Sequence, residues 1–307
     1  MRPLRVGIAL PDSESMMGGV TARWKDLEAY AMLAEQVGFD SLWAQDHLFF
    51  RFEDEEQAEG PWECFSVLAA LAAVTQRIEL GTLVACTSYR NPARTAHIAD
   101  TIDEISGGRF ILGLGAGWNE PEFQAMGIPF DHRVSRFEEA VYIIQSLLRT
   151  GRVDYTGSYY SARECELHPR GPRPGGLPIM VGTSGPRMLE IAARYADQWN
   201  TYFTFFGNTP EGIPEQRRRV DSACKAAGRD PASLGRSVAL LVDPLGNTPV
   251  PLSVSVGVPP LSGTAEEIAD GLRRYAAEGI SHVQAHIVPM NLEGIEAFRP
   301  VLEELDR

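Results

Sequence analysis

Apolar positions along the chain fall into two alternating kinds of segment. Amphipathic stretches end at a glycine, and a short, almost wholly apolar run begins a few residues later. Trp24–Val37 is followed by Gly38 and DSLWA, and residues 92–105 by Ser106-Gly107-Gly108 and RFILGLG. Residues 210–227 lead through Gly228 to SVALLV from Ser237, and residues 264–278 through Gly279 to SHVQAHIV. Glycine suits each stop because, lacking a Cβ, it enters the left-handed conformation that closes a helix. The helical spacing is plain in Val134, Phe137, Val141, Ile144 and Leu148, which form one stripe. Thr264 with Glu267 reads as a capping box, and Pro186 after Gly185 as a first helical turn.

The short runs (LRVGIAL, RIELGTLVAC, RFILGLG, PIMVG, SVALLV, SHVQAHIV) do not alternate, which marks strands buried on both faces, as parallel strands under helices are. With Ser41–Ala44 and Gln198–Tyr202 they make eight strands in 307 residues. Eight strand–helix units predict an α/β fold, a (β/α)8 TIM barrel over residues 1–307 as a single domain. A doubly wound open sheet is the competing architecture, but its GxGxxG after the first strand is missing from LRVGIALPDSESMMGG. Two stretches interrupt the units. Residues 153–173 read as a hairpin inserted after strand four, and the proline-rich apolar residues 245–261, after strand seven, as a lid or pocket wall.

Charge narrows the function. Against 28 Lys and Arg stand 41 Asp and Glu, a net charge of −13, so duplex phosphate would repel the chain and nucleic acid is not expected as a partner. Cys64, Cys86, Cys165 and Cys224 are far apart with no CxxC, which suits reduced thiols and gives neither a metal site nor a disulfide frame. No cleavable apolar leader and no run of membrane-spanning length are visible, so a cytoplasmic setting without membrane contact is expected.

In such a barrel the chemistry lies at the carboxyl ends of the strands. Strand two ends in Asp46-His47, where a carboxylate next to an imidazole can orient or charge it; a paired surface couple is the plainer reading. Strand four ends in GLGAGWNEPEF, whose glycines allow close approach either of a ligand or of neighbouring chain. Strand five ends in Gly182, Thr183, Ser184 and Gly185 before a helix, offering amides, hydroxyls and a helix terminus to a phosphate.

Four segments in order, GFDSLWAQDH, RIELGTLV with NPA, DEISGGRFILGLGAGWNEPEF and PIMVGTSGPRMLEIAARYADQWN, resemble the luciferase-like monooxygenase superfamily over the first 200 residues or so. The pairing of AQDH with GAGWNEPEF looks most like its branch that uses the deazaflavin coenzyme F420. The resemblance implies an oxidoreductase passing hydride between F420 and a small organic substrate. It places Asp46 and His47 beside the ring as catalytic groups, His47 handling the proton. Leu83 and Val84 would back the ring across a non-proline cis peptide, Asn119 would bind the cofactor, and Gly182 to Gly185 its phosphate. Trp118 stands where sugar-phosphate and alcohol dehydrogenases of the family carry a carboxylate, which counts against those activities; Glu120 and Glu122, one turn on, are expected to be solvated.

Competing functions are an FMN-dependent monooxygenase fed by a partner flavin reductase and a non-catalytic flavin- or deazaflavin-binding relative. A phosphosugar aldolase or isomerase would want a strand-end lysine, and Lys25 and Lys225 fall within helices. The resemblance also implies a homodimer. Trp43, Phe49, Trp118, Trp199 and Tyr202 are candidates for an apolar pocket, with Trp43 better suited to packing. Arg217-Arg218-Arg219 reads as a solvated helix face or as a contact for the polyglutamate tail of F420.

Overall fold

The computed structural model describes residues 2–11, 13–51, 58–250 and 257–307. Among these, eight strands pair in parallel and close into a barrel. They are β1 (Arg5–Ala9), β2 (Ser41–Ala44), β3 (Glu79–Thr82), β5 (Phe110–Gly115), β8 (Ile179–Gly182), β9 (Gln198–Tyr202), β10 (Gly235–Asp243) and β12 (His282–Ile287). Closure is made where β12 returns to β1, with Arg5 opposite His282 and Ile8 opposite Ala285. The expected single strand RIELGTLVAC is split, since after β3 the Leu83–Val84 peptide is cis and a short β4 (Ala85–Cys86) continues along β5. An antiparallel hairpin, β6 (Arg152–Thr156) with β7 (Ser161–Glu166), lies between β5 and β8. A two-residue strand, β11 (Leu261–Ser262), pairs with β10. Residues 251–256 of the expected apolar loop lie outside the described residues.

The helices follow the predicted pattern. They are α1 (Trp24–Val37), α2 (Cys64–Val74), α3 (Pro92–Ser106), α4 (Glu120–Ala125), α5 (Arg133–Thr150), α6 (Pro186–Tyr195), α7 (Ile213–Ala226), α8 (Ala265–Ala277) and α9 (Leu292–Asp306). Asn91 caps α3 by accepting the Ala93 N–H at 3.0 Å, and the following proline needs no partner for its nitrogen. The α1 stripe Leu27, Tyr30, Ala31, Ala34 and Val37 is buried and ends at Gly38, whose φ of 105° requires glycine. No described helix is long and apolar enough to cross a membrane.

Two apolar clusters divide the interior. One, including Val6, Ile8, Val283, Ala285 and Ile287, lies between strands and helices; the other, Trp43, Leu83, Ile111, Met180 and Ala239, fills the barrel itself. Trp43 fits there because β1 and β3 carry glycine beside it. A Cβ on Gly7 would stand 2.5 Å from the indole Nε1, and one on Gly81 would stand 2.3 Å from Cζ3. Its Nε1–H donates to Ser41 Oγ at 2.7 Å, which in turn lies 2.7 Å from His282 Nε2. This hydrogen-bonded plug makes the floor above which the barrel opens.

Candidate active site

Above Trp43 the carboxyl ends of the strands enclose a cavity of about 500 Å3, within the range of ligand sites. Asp46, His47, Leu83, Val84, Gly182, Thr183, Ser184 and Gly185 all line it. Asn119 does not. Its side-chain amide donates to Phe49 O at 3.1 Å and ties two rim loops together.

Asp46 and His47 follow β2 but serve different partners. Asp46 is buried and holds Arg90 through two bonds of 2.7 and 2.8 Å, while accepting the Cys86 N–H at 2.9 Å. Burial resists the charge on Arg90, yet its hydrogen bonds to Asp46 and Glu63 outweigh that and keep it firmly cationic. Asp46 therefore locks the end of β2 to β4 and to the turn after it. It makes no bond to His47.

The group that orients His47 is Glu122, on α4. This corrects both the pairing of Asp46 with His47 and the expectation that Glu122 is solvated, because its side chain is fully buried. Its Oε2 lies 2.8 Å from His47 Nδ1 and accepts the Tyr89 hydroxyl at 3.0 Å. Its Oε1 accepts the amides of Leu48 and, at 3.2 Å, Phe49. Burial raises the cost of its charge, but the bonds from His47, Leu48 and Tyr89 overcome it and hold the carboxyl below its usual range. An ionised carboxylate only accepts, so Nδ1 carries the proton and the neutral imidazole keeps its lone pair on Nε2. Phe50, with its ring 4.4 Å away, and Trp118, edge-on at 5.5 Å, flank the imidazole. Nothing local in NEPEF announces this role, because the partner lies 75 residues earlier in the chain.

Around the wall, the glycines within and just after β5 are explained first by neighbouring chain. A Cβ on Gly113 would stand 2.0 Å from Thr82 O, and one on Gly117 would press on Phe123 and Cys86. Val84 sits so close to the ends of β5 and β8 that a Cβ on Gly115 or Gly182 would come within 2.6 or 2.9 Å of its methyls. Burial pushes the Cys86 thiol up to about 12, which makes it a packing group and not a nucleophile. The Tyr89 hydroxyl is raised above its usual range by burial, with added effect from the nearby negative charge, and stays a donor.

The loop Gly182–Gly185 is held from behind. The Thr183 N–H donates to Asn200 O at 2.9 Å, Trp199 Nε1–H to Thr183 O at 2.9 Å, and Arg219 to Ser184 O. Arg217 pairs with Glu278 and Arg218 with Glu215, so all three residues of the arginine run are engaged. Pro186 opens α6 without an N–H, and the Arg187 and Met188 amides that follow have no partner within the helix. Of the aromatic candidates, Trp118 and Tyr202 line the cavity, while Trp199 is buried behind the loop and Phe49 stands outside the lining.

The model of the luciferase-like monooxygenase family matches residues 4–243. The chain belongs to this family. Among its relatives, the 5,10-methylenetetrahydromethanopterin reductase of Archaeoglobus fulgidus is 34% identical over 207 residues, 67% of this chain and 57% of the reductase. The F420-dependent glucose-6-phosphate dehydrogenase of Beutenbergia cavernae is 37% identical over 179 residues, 56% of this chain and 51% of that enzyme. The chain thus spans about half the length of the curated relatives it matches. A solved F420-dependent secondary alcohol dehydrogenase, in complex with an F420–acetone adduct, superposes with a TM-score of 0.82 over 99% of each chain at 20% identity. That likeness is one of fold.

Proposed function

We propose that this luciferase-like protein is an F420-dependent oxidoreductase that passes hydride between the deazaflavin and a small organic substrate, with His47 handling the accompanying proton. The observation that carries the reading is the buried Glu122–His47 pair, whose imidazole lines a cavity walled on one side by glycines and Val84. The donor set fits a flat anionic group. Leu83 and Val84 would back the ring, Asp46 would stand at its edge already neutralised by Arg90, and the loop Gly182–Gly185 would hold the phosphate through the Thr183 and Ser184 hydroxyls, the Ser184 amide and the first amides of α6. When bound, F420 supplies a ring carbon that gives or takes hydride. The dehydrogenase of Beutenbergia cavernae, F420-dependent by name, supports this choice.

The protein's own contribution is positioning and proton transfer. Glu122 fixes the tautomer and stabilises the imidazolium that forms when His47 Nε2 takes a proton from a substrate hydroxyl; in the reverse direction the imidazolium returns it. Tyr89 and the Leu48 and Phe49 amides keep Glu122 in place. Trp118, Phe50 and Tyr202 keep water from the reacting atoms.

The family name favours a second reading, oxygenation with FMN supplied reduced by a partner reductase. Titrating the purified protein with each cofactor, read by quenching of cofactor fluorescence, separates the two. Tight F420 binding with FMN at least a hundredfold weaker is expected. The opposite order overturns the proposal, and binding of neither removes both readings.

A further inference from the structure

Across the barrel from the glycine wall stands a group that the mechanism above leaves unused. His286 is on β12, four strands from β5 in either direction around the barrel. It lines the cavity and is 1% exposed, and its ring nitrogen Nε2 has no hydrogen-bond partner among the described residues. Tyr202 at 5.3 Å and Phe203 at 6.2 Å pack T-shaped against it from one side, contacts that cannot replace a hydrogen bond. A buried imidazole left unsatisfied by its own fold is a group that a ligand can satisfy.

The second observation concerns charge. Among the described residues no lysine or arginine lines the cavity, and the sequences of segments 52–57 and 251–256 contain none. The two carboxylates near β2 are engaged locally, Asp46 in the lining by Arg90, and Glu122 behind His47 by its four donors. Capacity for an anion is confined to the loop Gly182–Gly185 after β8, three strands from β12. Burial also keeps His286 neutral, drawing its pKa down to about 4.

We infer that His286 anchors an uncharged substrate by hydrogen-bonding its one polar group, a carbonyl or hydroxyl, and that the cavity rejects anionic substrates for want of a cation. This rests on the function proposed above for its chemistry, though the anchoring itself does not require F420. A charged carboxylate placed against His286 would lose its hydration with nothing of opposite sign to replace it, whereas a ketone or alcohol exchanges one hydrogen bond for another.

The test uses F420-loaded protein and four probes of one size: cyclohexanone, cyclohexanol, cyclohexanecarboxylate and methylcyclohexane, with affinities from saturation-transfer NMR. Cyclohexanone and cyclohexanol should bind at least tenfold more tightly than the carboxylate. His286→Phe should lower their affinity about tenfold, leave methylcyclohexane and F420 unchanged, and His286→Gln should restore most of the loss. Circular dichroism confirms that each variant is folded, and a variant that does not fold leaves the decision to the other and to the wild-type ranking. Equal binding of ketone and carboxylate, or of ketone by wild type and His286→Phe, overturns the inference. If F420 itself does not bind, the proposed function fails; the same ranking on cofactor-free protein then still decides the role of His286.

Discussion

At the floor of the barrel, Trp43 is fully buried, its N–H is taken by Ser41, and Gly7 and Gly81 exist to admit it. At the mouth, Trp118 is 64% exposed and packs its edge on His47. The histidines differ in the same way. His282, beneath, bonds Ser41 and is part of the plug, whereas His47 bonds a carboxylate at one nitrogen and lines open space. Tryptophan, histidine and glycine thus occur at both levels, and what separates structure from function is whether the fold itself consumes the polar atoms. At the floor it consumes most of them. At the mouth it leaves capacity over.

The sharpest way to break this contrast is to shorten both tryptophans. Trp43→Ala removes the centre of the plug from between two glycines that cannot fill the space, and should cost about 3–5 kcal/mol, seen as a large fall in thermal and urea midpoints. Trp118→Ala, on the rim, should stay within about 0.5 kcal/mol. Similar losses at the two positions would mean that the mouth is as structural as the floor.

Next in size is a pH effect. Burial lowers the pKa of His282 and brings that of His286 to about 4, against an ordinary value of 6.5. Both are neutral when folded, while the unfolded chain takes up protons below pH 6.5, so stability is full above that pH and is lost as pH falls. For His286 the loss runs from pH 6.5 down to about 4. At about 1.4 kcal/mol per pH unit it is on the order of 3 kcal/mol. Melting temperatures across this window should fall less steeply in His286→Phe than in wild type. An unchanged slope would show that His286 already accepts a proton in the folded protein.

Glu122→Gln tests the mouth alone. Glutamine keeps an acceptor but loses the charge that favours imidazolium, so turnover should fall about 10–100-fold, with the cofactor dissociation constant unchanged within twofold. The split between the two readouts supplies the signature of positioning: turnover falls while cofactor binding holds. A fall in turnover matched by an equal loss of cofactor affinity would assign Glu122 to packing only.

Much of this was legible in the sequence because it is local or periodic. The eight apolar runs, the glycine stops and the Thr264–Glu267 cap each follow from residues within a few positions of one another, and the structure has them. Asp46-His47 and Gly182–Gly185 were visible for a related reason, since strand ends locate themselves once strands are assigned. Glu122 was not, because its partners at 47–49 and 89 come from other loops. Its acidity suggested solvent, and only the convergence of α4 on the end of β2 turns it inward. His286 was hidden differently. It sits in SHVQAHIV, which reads as a core run, yet polar His282, Gln284 and His286 alternate there with apolar Val283, Ala285 and Ile287, and that period of two is the signal that sets His286 on the face opposite the helices.

The smallest effect sought separates two glycines of one loop. A Cβ on Gly182 would meet Val84 at 2.9 Å, so Gly182→Ala must displace the wall, whereas a Cβ on Gly185 meets nothing within 4 Å. Gly185 has φ −78° and ψ 143°, which alanine adopts freely, so the loss of unfolded-chain freedom should stabilise by about 0.4–1 kcal/mol. As the residue capping α6, alanine is much poorer than glycine, which takes back a similar amount, about 0.5–1 kcal/mol. The net change in stability should therefore be within about 0.5 kcal/mol, small enough that binding can be read without correction. If the amides here lie against a phosphate, the added methyl holds the anion off and F420 affinity falls several-fold at constant melting temperature. If affinity does not move, Gly185 serves only to start the helix, and the anion end of the cavity must be sought nearer Thr183.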